Sequence, residues 1–166
     1  MLRYNLSYWE RETFFKDFDV AVIGSGIVGL AAAMHLKTLD PRLNVAVLER
    51  GVLPAGASTR NAGFACFGSM TELLDDIAQF GEDQVLTVVE KRWRGLQRLR
   101  APVGDANMDF QQLGGYEMFT DDEEDVFQQC LERIPEFNHK IGAITQHPEG
   151  YKLVDDRLPD FGFRGV

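Results

Sequence analysis

Hydrophobic residues in the first third of the chain form two short continuous runs, with an alanine-rich stretch between them. Residues 18–23 and 44–49 are rich in Val and Ala, which is the pattern of buried β-strands. Residues 27–37 predict a helix, and the Asp40-Pro41 pair should end it, because proline disfavours helical backbone in the residue before it. Strand, helix and strand within about 30 residues predict a right-handed βαβ unit with parallel strands.

Two helices are predicted after a long stretch, residues 51–68, which has neither a helical nor a strand period. Residues 69–72 have the Ser-x-x-Glu pattern of a capping box, so a helix should begin there and end at Gly81. A longer helix is predicted over residues 83–100, with apolar side chains at helical spacing. Its basic run, residues 91–94, surrounds one tryptophan, and we interpret it as a solvated helix face rather than a nucleic-acid patch.

The last third of the chain has short segments of strand character around one long amphipathic stretch. Residues 108–112 and 116–120 predict two strands around a Gly-Gly pair, and residues 151–154 predict another. Residues 120–123 match a second capping box, which explains the acidic residues there without a metal, because a helix N-terminus favours negative charge. Pro135 should kink or end the helix that follows. The predicted buried residues of this helix are Val126, Phe127, Cys130, Leu131 and Ile134.

The net charge of −9, from 26 acidic and 17 basic residues, argues against a nucleic-acid or an anionic membrane partner. The excess is local, because residues 101–166 hold 14 acidic and 5 basic residues. The two cysteines, Cys66 and Cys130, lack the spacing of a zinc site or a disulfide framework, so no metal is expected. No apolar run resembles a signal peptide or a membrane span, and we therefore expect a cytoplasmic protein.

Residues 24–29 carry the pattern Gly-x-Gly-x-x-Gly where the first strand should end and the helix begin. Glu49 ends the second strand, twenty residues after Gly29, which completes the context that dinucleotide binding requires. Gly24 should allow a tight turn, Gly26 the approach of a pyrophosphate, and Gly29 close packing of the helix on the strand. A carboxylate at Glu49 suits ribose hydroxyls and repels a 2′-phosphate, which favours FAD or NAD over NADP.

A second loop, residues 56–64, begins seven residues after Glu49 and is rich in small residues that let the backbone lie against a ligand. An NAD-binding domain does not need such a loop directly after its second strand. Together with the glycine pattern and Glu49-Arg50, the sequence Gly56-Ala57-Ser58-x-Arg60-Asn61-x-Gly63 resembles the D-amino-acid-oxidase-like superfamily of FAD-dependent oxidoreductases. The resemblance is to its glycine/D-amino-acid oxidase and gamma-glutamylputrescine oxidase branch, although Thr59 stands where that loop usually has glycine.

The resemblance implies FAD as the cofactor and assigns both loops and the end of the second strand to its binding. The pyrophosphate would lie against Gly24, Ser25, Gly26, Ile27, Val28 and Gly29, and the adenosine against Glu49 and Arg50. Ala57 and Ser58 would lie along the diphosphate and ribityl chain, and Asn61, Ala62, Gly63 and Phe64 would lead to the isoalloxazine ring. No catalytic residue is assigned, because the family's substrate-holding residues lie further along its longer chains.

By the same resemblance, the fold class is α/β: a Rossmann-like βαβ half-domain that binds FAD, followed by the start of an α+β substrate domain. The predicted bounds are 1–17 for an N-terminal arm, 18–104 for the FAD-binding portion and 105–166 for the incomplete substrate domain. The implied reaction oxidises the C–N bond of a small amine or amino acid by hydride transfer to the flavin. Because the substrate domain would be incomplete, we expect these residues alone to lack turnover and to bind flavin weakly at best. We also expect them to be poorly soluble or self-associated, because an open parallel sheet has an unpaired edge.

Two other functions stay open at this stage. An NAD-dependent dehydrogenase could use the same βαβ unit, although the second loop favours FAD. A non-catalytic FAD-binding fragment, or one that needs a partner chain, would fit the short length of the sequence.

Overall fold

The computed structural model describes residues 6–13, 17–154 and 162–166. The chain divides into two compact units, Met1–Phe64 and Ala65–Val166. The first unit holds a parallel two-stranded sheet, and the second holds an antiparallel one. This division differs from the domain bounds drawn at residues 17/18 and 104/105, which stay predictions.

The first unit is built on the predicted strand–helix–strand arrangement. Helix α1 (Tyr8–Thr13) is followed by strand β1 (Val20–Ile23), helix α2 (Ile27–Leu39) and strand β2 (Val45–Leu48). The two strands are parallel and pair over their whole length, from Val20 opposite Val45 to Ile23 opposite Leu48. The predicted elements and their parallel pairing are confirmed, which is consistent with a Rossmann-like βαβ unit.

Polar contacts at the amino ends of both strands fix where the pairing starts. The amide of Asn44 donates to Asp19 Oδ2 at 2.7 Å, and the amide of Asp19 donates to the carbonyl oxygen of Asn44 at 3.0 Å. Helix α2 ends at Leu39, directly before Asp40-Pro41, as the proline predicted. The carboxyl ends of β1 and β2 therefore lie side by side. Residues 24–29 follow directly from β1, and Glu49 follows directly from β2.

The second unit is mainly helical and contains the buried apolar residues of the described chain. Its elements are α3 (Met70–Phe80), α4 (Glu82–Val103), α5 (Asp105–Met108), β3 (Met118–Phe119), α6 (Glu124–Thr145) and β4 (Arg164–Gly165). Helices α3, α4 and α6 pack against one another, and β3 pairs with β4. Among the described helices of the chain, none combines the length and the apolar character that crossing a membrane requires. The buried residues are Met70, Leu73, Val85, Val89, Phe119, Phe127, Cys130, Phe137, Ile141 and Val166.

Both predicted capping boxes are present. The amide of Glu72 donates to Ser69 Oγ at 3.4 Å, and the amide of Ser69 donates to Glu72 Oε2 at 3.0 Å. Thr120 and Glu123 form the second box, which opens a 3-10 turn that leads into α6. The acidic residues there serve a helix N-terminus, and the described residues contain no cluster that could hold a metal ion.

The predicted strand over residues 108–112 is wrong. Helix α5 ends at Met108, the chain turns at Asp109, whose φ of 48° lies in the left-handed region, and residues 110–112 are in neither a helix nor a strand. Arg100 holds this segment, because its guanidinium donates to both carboxylate oxygens of Asp105 at 2.7 Å each. The same guanidinium lies 4.4 Å from the ring centre of Phe110. The ion pair to the preceding helix and the ring contact thus hold the backbone in a turn where the sequence predicts a strand.

Pro135 does not end α6, so of the two predicted effects of this proline, a kink or a helix end, the helix end is wrong and the kink stays a prediction. The helix continues to Thr145, and Phe137 and Ile141, which follow the proline, are buried in the core. Proline removes one backbone hydrogen bond from a helix, but burial of apolar residues on both sides of it keeps the helix in place. Of the predicted buried residues, Phe127 and Cys130 are buried, Leu131 and Ile134 are partly buried, and Val126 is exposed.

Of the other two predicted strands of the second unit, one is present in shorter form and the other is reduced to a single bridge. Strand β3 covers only two residues of the predicted segment 116–120. Within residues 151–154, only Val154 pairs, through an isolated antiparallel bridge to Gly165. The assignment of residues 105–166 to the start of a substrate domain stays a prediction.

Candidate cofactor-binding site

Three segments of the first unit meet at the carboxyl ends of β1 and β2. They are the glycine loop (residues 24–29), the turn after β2 (residues 49–51) and the second loop (residues 56–64). Side-chain hydrogen bonds join the glycine loop to each of the other two segments. In open parallel sheets, ligands bind at this edge. Most residues that the sequence assigned to the cofactor therefore lie together.

Two glycines have the structural roles that the pattern predicted. Gly24 has a φ of +96°, which L side chains rarely adopt, and its amide donates to the carbonyl oxygen of Leu48 at 2.7 Å. A Cβ on Gly29 would lie 2.1 Å from the carbonyl oxygen of Gly24 and 3.3 Å from Val22 Cγ1. Only glycine at position 29 therefore lets α2 pack this closely on the end of β1.

Glu49 makes contacts that the sequence did not predict. Its Oε2 accepts hydrogen bonds from the amide of Ser25 at 3.0 Å and from Ser25 Oγ at 2.8 Å. Its Oε1 accepts from the amide of Gly51 at 3.2 Å. These bonds, the Ser25 amide first among them, lower the pKa of Glu49 to about 2. The stabilisation from this ionised carboxylate is fully present above pH 4.5 and is lost as the pH falls toward 2.

Ser58 ties the second loop to the start of α2. It lies in a 3-10 turn, Ala57–Thr59, and its Oγ accepts a hydrogen bond from the amide of Ile27 at 2.9 Å. A Cβ on Gly26 would lie 3.1 Å from the same oxygen. The absence of a side chain at Gly26 therefore lets a polar group from the second loop reach the helix N-terminus.

The second loop is held in shape by its own polar side chains. Asn61 Nδ2 donates to the carbonyl oxygens of Ala57 and Ser58, both at 3.0 Å, and Asn61 Oδ1 accepts from the amide of Gly63 at 2.7 Å. Gly63 has a φ of +77°, and Thr59 Oγ1 donates to the carbonyl oxygen of Pro54 at 2.8 Å. The amide group of Asn61 thus organises the loop, and the departure at Thr59 is accommodated by a local hydrogen bond.

The remaining predicted site residues are less constrained. Arg50, Ala62 and Phe64 are exposed, and Phe64 ends the first unit with 86% of its surface accessible. Within the described residues, none of the three has a side-chain hydrogen bond, ion pair or ring contact. The structure therefore does not place them beside the glycine loop in the way that it places Ser25, Glu49 and Ser58.

The start of α2 offers backbone donors to an anion. The first amides of a helix have no acceptor within the helix itself. Here the amide of Ile27 has Ser58 Oγ, whereas those of Val28 and Gly29 have no acceptor among the described residues. Gly26, which precedes the helix, has no side chain to cover them. These open amides and the helix dipole fit a pyrophosphate.

A second cleft of the first unit lies at the opposite, amino end of the strands. It has a volume of about 520 Å³, and Phe18, Lys37 and Asn44 are among its lining residues. The ammonium group of Lys37 is already used there, since it donates to the carbonyl oxygens of Pro41 and Leu43. Because ligands of parallel sheets bind at the carboxyl ends of the strands, we assign the cofactor to the glycine-loop end.

Comparisons with known proteins give the family of the chain. The thiamine thiazole synthase of Yarrowia lipolytica is 39% identical over 51 residues, which are 31% of this chain and 16% of that protein. The chloroplastic thiamine thiazole synthase of Chlamydomonas reinhardtii is 37% identical over 51 residues, 31% of this chain and 14% of that protein. The match thus spans a small part of these relatives, and no solved structure matches the chain. The family model DAO, described as FAD dependent oxidoreductase, matches residues 19–159, which decides for FAD over NAD. The chain therefore belongs to this family of FAD-dependent oxidoreductases.

Proposed function

We propose that this chain supplies the FAD-binding part of an oxidoreductase that oxidises the C–N bond of a small amine or amino acid. The observation that carries the cofactor site is the meeting of the glycine loop, Glu49 and Ser58 at one edge of the sheet. The proposed substrate class rests on the likeness of the loop Gly56–Gly63 to that of the glycine/D-amino-acid oxidase branch. The two curated relatives are named thiamine thiazole synthases, so their names do not support this substrate class. Each match covers 31% of the chain.

The proposed binding mode uses the polar groups that the three segments leave available. The amides of Val28 and Gly29 would donate to pyrophosphate oxygens. The hydroxyl of Ser58 accepts from Ile27 and keeps its own hydrogen to donate, so it suits a phosphate oxygen at the same place. Glu49 would accept from a ribose hydroxyl of the adenosine.

The residues of this chain would bind and orient the cofactor rather than carry out proton transfer. When bound, FAD supplies the hydride acceptor for the carbon next to the amine. No residue of the chain is proposed to hold the substrate, and a small amine or amino acid is the partner that we propose for the whole protein. The cytoplasm stays the expected compartment, because the two cysteines are both free and none is in a redox or metal pattern.

Cofactor identity is the first test of this function. We expect the purified whole protein to be yellow, and the compound released by heat or acid to be FAD rather than FMN or a nicotinamide dinucleotide. The reason is that the glycine loop suits a pyrophosphate, Glu49 suits the ribose of an adenosine, and the second loop resembles one that leads to a flavin ring. The measurement is the absorbance spectrum of the protein, with chromatography of the released compound. A colourless protein that takes up NAD but no flavin contradicts the site assignment.

Substrate class is the second test, and it separates catalysis from cofactor binding alone. A chain of residues 1–166 and a longer product of the same reading frame are given FAD and mixed, without oxygen, with glycine, sarcosine, D- and L-amino acids and polyamines. We expect loss of the oxidised flavin colour with one of these amines in the longer product only, because no residue described here is placed to hold a substrate. Bleaching by the 166-residue chain would contradict this expectation, and bleaching by neither would favour a non-catalytic FAD-binding protein. The mass of the 166-residue chain in solution tests the expected self-association in the same samples.

A further inference from the structure

We propose that Ser25 and Glu49 form a positioning pair that holds the glycine loop in its cofactor-binding conformation before FAD binds. Glu49 would then contribute to FAD binding in two ways: it orders the glycine loop, and it accepts a hydrogen bond from the ribose. The expected effect of the pair on FAD affinity rests on the proposed function. Its expected effect on the loop does not, because that effect is measured in the flavin-free chain. Ser25 is a positioning residue in this proposal, since it acts on the cofactor through the loop.

The contacts connect two loops through one carboxylate. Glu49 Oε2 accepts two hydrogen bonds from Ser25, one from the amide at 3.0 Å and one from the hydroxyl at 2.8 Å. Glu49 Oε1 accepts from the amide of Gly51 at 3.2 Å, in the turn after β2. Hydrogen bonds to an ionised acceptor are about twice as strong as neutral ones. These bonds lower the pKa of Glu49 to about 2, so the carboxylate is ionised at neutral pH.

The glycine loop needs such a restraint because its sequence is flexible. Gly24 and Gly26 lose more conformational freedom on ordering than other residues, and Gly24 must also keep a φ of +96°. Ser25 is the residue between them, and both its amide and its hydroxyl donate to Glu49 at the end of the neighbouring strand, in addition to the bond from the Gly24 amide to Leu48. If the bonds to Glu49 order the loop in advance, less ordering remains to be done when FAD binds, and the affinity is higher.

Both roles of Glu49 fit one carboxylate at the same time. A carboxylate has about four acceptor positions on its two oxygens. The structure uses two on Oε2 and one on Oε1. The backbone amide of Arg50 also lowers the pKa of this carboxylate, but the Glu49 side chain is exposed, so a ribose hydroxyl can still reach it while both Ser25 bonds remain in place.

The first experiment measures the loop in the flavin-free chain. Amide hydrogen exchange is followed by NMR at positions 25 and 51 in the unsubstituted chain and in the Glu49→Gln and Ser7→Ala variants. We expect Glu49→Gln to speed exchange at both positions by about 10-fold or more, because a charge-assisted bond is replaced by a neutral one. Ser7→Ala removes a serine that pairs with another acid, Glu10, and should change neither position. The amides of β1 serve as the reference for an intact fold. Unchanged exchange at positions 25 and 51 in Glu49→Gln would overturn the proposal, whether or not the chain binds FAD.

The second experiment separates positioning from ribose contact. The dissociation constants of FAD and of an FAD analogue that lacks the adenosine 2′-hydroxyl are measured for Ser25→Ala, Ser25→Thr and Glu49→Gln. Ser25→Ala should weaken both ligands by about 3- to 10-fold, which is the usual range for one lost hydrogen bond, and Ser25→Thr should restore most of the affinity because it keeps the hydroxyl. The effects of Ser25→Ala and Glu49→Gln should not add in the double variant. Full affinity in Ser25→Ala, or strict additivity, would overturn the proposal. Faster loop exchange in a chain that binds no flavin would contradict the proposed cofactor and leave only a structural pair.

Discussion

Gly29→Ala should unfold the βαβ unit and abolish FAD binding with it. The added Cβ would lie 2.1 Å from the carbonyl oxygen of Gly24, a distance that atoms in proteins do not tolerate. That oxygen belongs to the backbone, and the amide of the same residue is bonded to Leu48 at 2.7 Å, so it cannot move aside as the tip of a side chain could. Overpacking typically costs about 1–3 kcal/mol, and so short a contact with a backbone atom lies at the upper end of this range. A two-stranded sheet is only marginally stable by itself, so a cost of this size is enough to unfold it.

The measurement is amide hydrogen exchange in β1 and β2, with FAD binding followed by flavin fluorescence. The matched control is Gly95→Ala in α4, where an added Cβ meets no atom within 4 Å. This control should stabilise the second unit by about 1 kcal/mol, because alanine is the better helix former. Exchange in β1 that is as slow in Gly29→Ala as in the unsubstituted chain would show that α2 can move away from the sheet without loss.

The parts of the fold that were predicted correctly depend on short stretches of sequence. Parallel strands and α2 follow from apolar runs and a proline, and the two capping boxes join residues three positions apart. The glycine roles at positions 24 and 29 also follow from a local pattern, because a turn and a close packing contact are needed wherever a strand leads directly into such a helix. Sequence reasoning is reliable where neighbouring residues decide the backbone.

The predictions that the structure corrects, a strand over residues 108–112 and a helix end at Pro135, concern segments that side-chain contacts hold in place. The segment after α4 turns because Arg100 binds Asp105 and covers Phe110. Helix α6 passes through Pro135 because the residues beyond it are buried against other helices. In both cases side-chain contacts outweigh the backbone preference that the local pattern indicates. The contact is an ion pair between residues five positions apart in the first case, and packing against other helices in the second.

The site shows the same limit in its side chains. Sequence placed Glu49 at the ribose and Ser58 along the phosphates, but the residues that they contact in the structure are 24 and 31 positions away. The sequence contained one usable signal, a serine between two glycines of a loop that faces an acidic strand end. Such a serine is common enough in loops that the pairing becomes apparent only when the strands are placed in parallel register.

Gly26→Val should abolish FAD binding while the βαβ unit stays folded. Gly29→Ala, in contrast, should lose FAD binding because the unit unfolds. Gly26 has a φ of −69° and a ψ of 172°, an extended conformation that any residue adopts. The atom nearest to an added Cβ is Ser58 Oγ at 3.1 Å, and this side-chain atom can move by a few tenths of an ångström. The backbone therefore accepts valine with little strain.

The binding loss follows from the place that the valine methyl groups would occupy. They would lie over the start of α2, between the open amides of that helix and the Ser58 hydroxyl, where we propose that the pyrophosphate binds. Losing two charge-assisted hydrogen bonds at about 1.5–3 kcal/mol each weakens binding by roughly 100-fold or more. Titration of the flavin-free chain with FAD measures this loss, and hydrogen exchange in β1 reports the fold.

The matched control is Gly115→Val in the second unit, where an added Cβ meets nothing within 4 Å and FAD affinity should stay unchanged. Normal FAD affinity in Gly26→Val would place the pyrophosphate away from the helix N-terminus, and a loss of β1 protection equal to that in Gly29→Ala would show that position 26 serves the fold rather than the ligand.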